Sequence, residues 1–118
     1  MRDVGNTSVR VRRRARLATA GARRLPDFLV IGAQRAGSTS LFAQLCDHTG
    51  VAPPSHKEIH YFDQQSIRSL RWYRSHFPPV AAARGRLTGE ASPYYLFHPA
   101  VPARVAEVLP DVRLVALL

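Results

Sequence analysis

The chain has 118 residues, 46% of them apolar, which suits one modest domain with a small core. Its formal charge of +9 is lopsided: residues 1–24 carry +7, eight arginines against Asp3, and residues 25–118 carry only +2. A nearly neutral body with no aromatic interleaved among those arginines, and no base-reading motif after them, argues against a basic-tailed nucleic-acid-binding module. No stretch approaches the roughly 20 apolar residues of a membrane span. No apolar run follows Arg12 to Arg14 as an export signal requires. The single cysteine, Cys46, falls on an apolar helix face and reads as packing. Together these features predict a reducing, cytoplasmic setting.

Residues 1–24 read as a basic, disordered leader, and residues 25–118 as the folded part. Phe28-Leu29-Val30-Ile31 is a short apolar run with β-branched residues, the pattern of a buried parallel strand. Gly32 to Gly37 is a loop, and Ser38 to about Asp47 a helix with Leu41, Phe42 and Leu45 on one face and Gly50 beyond its end. After a loop through Pro53-Pro54, a second helix is predicted from about Gln65 to His76, with Ile67, Leu70, Tyr73 and Phe77 at helical spacing and Pro78-Pro79 as its stop. A short strand is predicted over Leu87 to Glu90, a helix over Pro102 to Leu109, and a final apolar core strand over Val112 to Leu118. Alternation of this kind implies an α/β fold, a parallel sheet flanked by helices. A chain that stops at its last strand lacks the loop that strand would deliver to a ligand crevice, so an incomplete domain is expected.

Gly32-Ala33-Gln34-Arg35-Ala36-Gly37-Ser38-Thr39-Ser40 follows a strand and opens a helix. In that context the free N–H groups and dipole of the helix start favour an anion, Gly37 lets backbone approach it, Ser38, Thr39 and Ser40 add hydroxyl donors, and Arg35 a fixed positive charge. Gly32 and Gly37 have the spacing of the nucleoside-triphosphatase loop, but Ser38 stands where that loop has its phosphate-gripping lysine. A P-loop phosphotransferase is therefore the second reading.

The stretch from Phe28 to Leu41 resembles the 5′-phosphosulfate loop of sulfotransferases that use 3′-phosphoadenosine-5′-phosphosulfate (PAPS), with Arg35-Ala36-Gly37-Ser38-Thr39 as its core. Lys57-Glu58-Ile59-His60-Tyr61-Phe62-Asp63 is similar to the K-E-x-H-[FY]-F segment of the heparan-sulfate and related bacterial branch, and Trp72-Tyr73, Phe77-Pro78 and Gly89-Glu90-Ala91-Ser92-Pro93-Tyr94 match further segments in the same order. The resemblance covers about Asp27 to Leu118. It implies a P-loop-type sheet, PAPS as donor with no metal, and a hydroxyl- or amine-bearing acceptor, carbohydrate among the classes. It departs from the family at Arg35, where lysine is usual, and at Ala91, where some members carry lysine.

Sulfuryl transfer needs a base for the acceptor's proton and stabilisation of the departing phosphate. The resemblance implies Glu58 as that base, with Arg35 at the phosphate. His60 reads either as orienting Glu58 or the acceptor or as a structural histidine. Lys57 reads as solvated or as steering an anionic acceptor, Tyr61 and Phe62 as core, Trp72 as helix packing, and Glu90 and Ser92 as cleft-lining or turn residues. The 118 residues alone are expected not to turn over substrate. By the resemblance, the arginine and serine that hold the donor's 3′-phosphate would follow the last strand.

Overall fold

The computed structural model describes residues 2–64 and 68–118. Strands β1 (Phe28–Gly32), β2 (Gly89–Ala91) and β3 (Arg113–Ala116) form a parallel sheet in the order β2-β1-β3. Phe28 pairs with both Gly89 and Arg113. Helices α1 (Arg2–Ala18), α2 (Ser38–Asp47), α3 (Leu70–Arg74) and α4 (Val101–Val108) complete it, with single 3-10 turns at Ala20–Ala22 and Pro93–Leu96. This is the flanked parallel sheet that the strand and helix alternation predicts.

Because successive strand side chains point to opposite faces, β1 feeds two cores. Leu29 and Ile31 pack into a cluster rich in aromatic residues, with Tyr61, Phe62, Tyr73, Phe77 and Tyr95. Phe28 and Val30 pack on the other face with Phe42 of α2, Val51 and Ala91. Tyr61 stacks on Tyr73 with ring centres 4.4 Å apart, and Phe62 meets both Tyr73 and Tyr95 edge-on, a geometry that aromatic quadrupoles favour.

The structure departs from sequence expectation in three places. First, residues 2–18 form α1 and the segment after it is docked, whereas composition predicts a disordered leader over 1–24. Ala20 is buried, Val80 N donates to Ala22 O at 2.8 Å, and Arg24 pairs with Asp27 at 2.6 Å. The physical reason is that arginine is a good helix former and a rich donor. Arg23 donates to Phe77 O, Arg24 to Ala83 O and Arg86 O, and Arg74 back to Gly21 O and Arg23 O, contacts that a charge count does not register. Second, α3 covers only Leu70–Arg74 of the predicted second helix, because the Ser69 hydroxyl caps it by accepting from Trp72 N at 3.1 Å. Gln65 and Ile67 lie outside the described residues. Third, among the described residues β3 lies at the edge of the sheet with Leu114 exposed, where the sequence predicts a core strand.

Gly89 sits where β2 crosses the Phe28 ring: a Cβ there would lie 2.6 Å from three ring carbons. Gly89→Ala is expected to destabilise the fold by about 1–3 kcal/mol through overpacking. Gly21→Ala, which meets nothing within 4 Å, should be near neutral. Chemical denaturation of the two variants checks the contrast.

Candidate active site

The loop from Ala33 to Gly37 leaves the carboxyl end of β1 and turns into α2. Arg35 and Gly37 have positive φ, 62° and 94°, a region natural for Gly37 and costly for Arg35. Gly37 is the N-cap residue, and no side chain caps this end of α2. The first N–H groups of an α-helix have no acceptor within the helix, so the amides after Gly37 lack an intrahelical partner. Ser38 is buried, while Arg35, Thr39 and Ser40 are exposed and Ala36 is half-buried. A positive helix end, hydroxyls and a cation on one loop are chemistry that suits an anion.

The segment from Lys57 to Phe62 has no helix or strand of its own. It is laid against the sheet by Ala91 N, which donates to Lys57 O at 3.3 Å. From there Lys57 Nζ donates to Thr39 Oγ1 in the first turn of α2 and lies 3.6 Å from Glu58 Oε1. Lys57 thus brings an ammonium to the helix start, where Ser38 stands in place of the lysine of the nucleoside-triphosphatase loop. Sequence reasoning missed this, because the two residues are brought together only by the fold.

His60 stands between two carboxylates. Nδ1 is 2.9 Å from Asp63 Oδ2 and Nε2 is 3.4 Å from Glu58 Oε2. Burial draws the imidazole pKa down, but hydrogen bonds and charge from Asp63 and Glu58 outweigh it, so the net shift is upward. Glu58 remains half-exposed and also lines a cleft of about 270 Å³. Arg13 and Arg16 of α1, His56, Arg68 and Trp72 share that cleft, with the Arg68 guanidinium 4.7 Å above the Trp72 ring. The structure therefore joins Thr39, Lys57, Glu58, His60 and Asp63 in one run of contacts. Asp63 was not singled out in the sequence, although its place three residues after His60 was a usable signal.

Beneath this run lies Glu90, wholly buried in β2. It accepts from Tyr73 OH, from Ser92 Oγ at 2.7 Å and from Tyr95 OH at 3.1 Å. Burial pushes its carboxyl pKa up to about 7 against the pull of these donors and of His60. Glu90 and Ser92 therefore do not line an open cleft.

No family model matches the chain. Similarity to individual proteins is clear. The chain is 36% identical over 95 residues to the membrane-associated sulfotransferase kil1 of Dictyostelium discoideum, covering 80% of this chain and 20% of that protein. It is 33% identical over 98 residues to heparan sulfate glucosamine 3-O-sulfotransferase 6 of Homo sapiens, covering 83% of this chain and 28% of the relative. A sulfotransferase structure from Alicyclobacillus acidocaldarius superposes with a TM-score of 0.67 at 27% identity, covering 79% of this chain and 44% of that one. The chain belongs to the sulfotransferase family. It spans less than a third of the length of these two curated relatives.

The raised pKa of Glu90 has a definite sign in stability. Its folded value, about 7, lies above the ordinary 4.5, so folding takes up a proton between them. The stabilisation is complete below the lower value and is lost as pH rises through the upper. His60, also raised, adds stability at low pH that is lost as pH rises through its own folded value. The stability of the chain relative to Glu90→Gln, measured by denaturation, is expected to fall as pH rises from about 4.5 to about 7, while His76, whose pKa burial lowers, acts in the opposite sense in both.

Proposed function

We propose that this chain carries the donor loop and the base of an enzyme that transfers a sulfuryl group from PAPS to a hydroxyl or amine of an acceptor. One observation carries the reading: Lys57 reaches into the first turn of α2 while its neighbour Glu58 stays exposed. An anion cradle and a proton acceptor are thereby set side by side. Arg35, Ala36, Gly37, Ser38, Thr39 and Ser40 would hold the phosphate at the 5′ end of the donor, which supplies the sulfuryl group when bound. Arg35 and Lys57 offset charge left on the phosphate. Glu58 takes the proton of the acceptor, and His60, held by Asp63, orients Glu58. The cleft on the far side of Glu58, with Trp72 and three arginines, suits a hydroxyl-bearing acceptor, carbohydrate among the classes.

No helix among the described residues is long and apolar enough to cross a membrane. Cys46 is half-buried, and burial and Asp47 raise its pKa, which makes it a poor nucleophile and supports a packing role.

The product nucleotide 3′-phosphoadenosine-5′-phosphate is expected to raise the melting temperature more than ATP with magnesium does, by mass action on the folded state. Arg35→Ala should remove most of that rise. Equal or reversed shifts for the two nucleotides would favour a P-loop phosphotransferase instead.

A further inference from the structure

The residues proposed to do chemistry sit on a segment with no secondary structure, so something else must fix their backbone. Three amides of that segment donate to hydroxyls, and those hydroxyls donate to one carboxylate. His60 N donates to Ser92 Oγ at 3.2 Å, and Ser92 Oγ donates to Glu90. Tyr61 N and Phe62 N donate to Tyr95 OH at 2.9 and 3.4 Å, and Tyr95 OH donates to Glu90. Each hydroxyl accepts on the segment side and donates on the Glu90 side, an arrangement in which successive hydrogen bonds strengthen one another. Tyr73, the third donor to Glu90, stacks on Tyr61. His60 itself has φ 55°, a costly conformation for a residue with a Cβ and one that needs outside support.

We propose that Glu90 is a positioning residue for the Glu58–His60 segment: through Ser92, Tyr95 and Tyr73 it fixes the backbone of residues 60–62, so that the His60 ring stands between Glu58 and Asp63. The groups that bear on His60 are then Asp63 and Glu58 on its own segment and Glu90 of β2 beneath it. Those that bear on Glu90 are Tyr73 of α3, Ser92, Tyr95 and His60. The consequence for turnover rests on Glu58 being the base, whereas the geometric consequence does not.

Nuclear magnetic resonance on the whole chain tests this directly, through the titration of the His60 ring and the hydrogen exchange of the amides of residues 60–62. Tyr95→Phe is expected to speed exchange at Tyr61 and Phe62 roughly tenfold, the scale of one lost buried hydrogen bond, while leaving Leu29 and Val30 of β1 unchanged. Ser92→Ala should act likewise at His60. Glu90→Gln, which keeps the shape and removes the charge, should move the His60 titration midpoint down. Val105→Ala, a core truncation in α4, should lower the melting temperature and shift none of these signals. The proposal is overturned if Tyr95→Phe leaves exchange at Tyr61 and Phe62 as it was or speeds β1 equally. It is equally overturned if Glu90→Gln leaves the His60 midpoint in place. The expected changes in a chain that shows no preference for the product nucleotide would uphold the positioning role and sink the donor reading.

Discussion

A carboxyl group removed from water must find partners inside the protein, and an unpartnered one costs several kcal/mol. Glu90 meets that demand with three hydroxyls drawn from α3, from the residue after β2 and from the 3-10 turn beyond it. Satisfying one carboxylate therefore pins three parts of the chain to β2, beside the central strand. Two of those hydroxyls have lone pairs left over, and the amides of residues 60–62 use them. Arg104 of α4 adds a bond to Phe62 O at 2.6 Å. The backbone of residues 60–62 is thus held by side-chain hydrogen bonds in place of a strand ladder.

The other half of the site depends on a division of labour. The loop before α2 supplies backbone N–H groups and Arg35, and a separate segment supplies the ammonium of Lys57. A loop with serine at position 38 so regains a cation at the helix start from elsewhere in the chain. The arrangement ties the α2 loop to the residue proposed as the base, because Lys57 and Glu58 are neighbours. A displacement of the segment would disturb both.

Much of this was legible in the sequence, since the relevant signals are local. A β-branched run ending in glycine gives β1, the hydroxyl-rich stretch after Gly37 gives the start of α2, and Pro102 at a first turn gives α4 within a residue of its observed start. The helix from Ser38 to Asp47 has the boundaries predicted for it. Other features depend on distance in space. Residues 20–24 read as leader by charge, yet Arg23 and Arg24 are tied to carbonyls that lie far along the chain. Glu90 in a three-residue strand looks like a turn or cleft residue, because only the fold reveals which hydroxyls surround it. The final apolar run reads as core, but among the described residues no strand pairs with its outer edge.

That strand order bears on how the chain is made as well as on what it becomes. The central strand β1 is synthesised before either partner, residues 89–91 on one side and 113–116 on the other. Parallel pairing at such separation is slow, since loop closure must be met before any ladder forms. Until residue 113 is available, Phe28 to Ile31 offers an apolar ribbon with one or both edges open, the kind of surface on which nascent chains associate. The sheet that carries the site cannot close around β1 until both partner strands have been made, so the interval before that is when β1 is most open to chaperones and to misassembly.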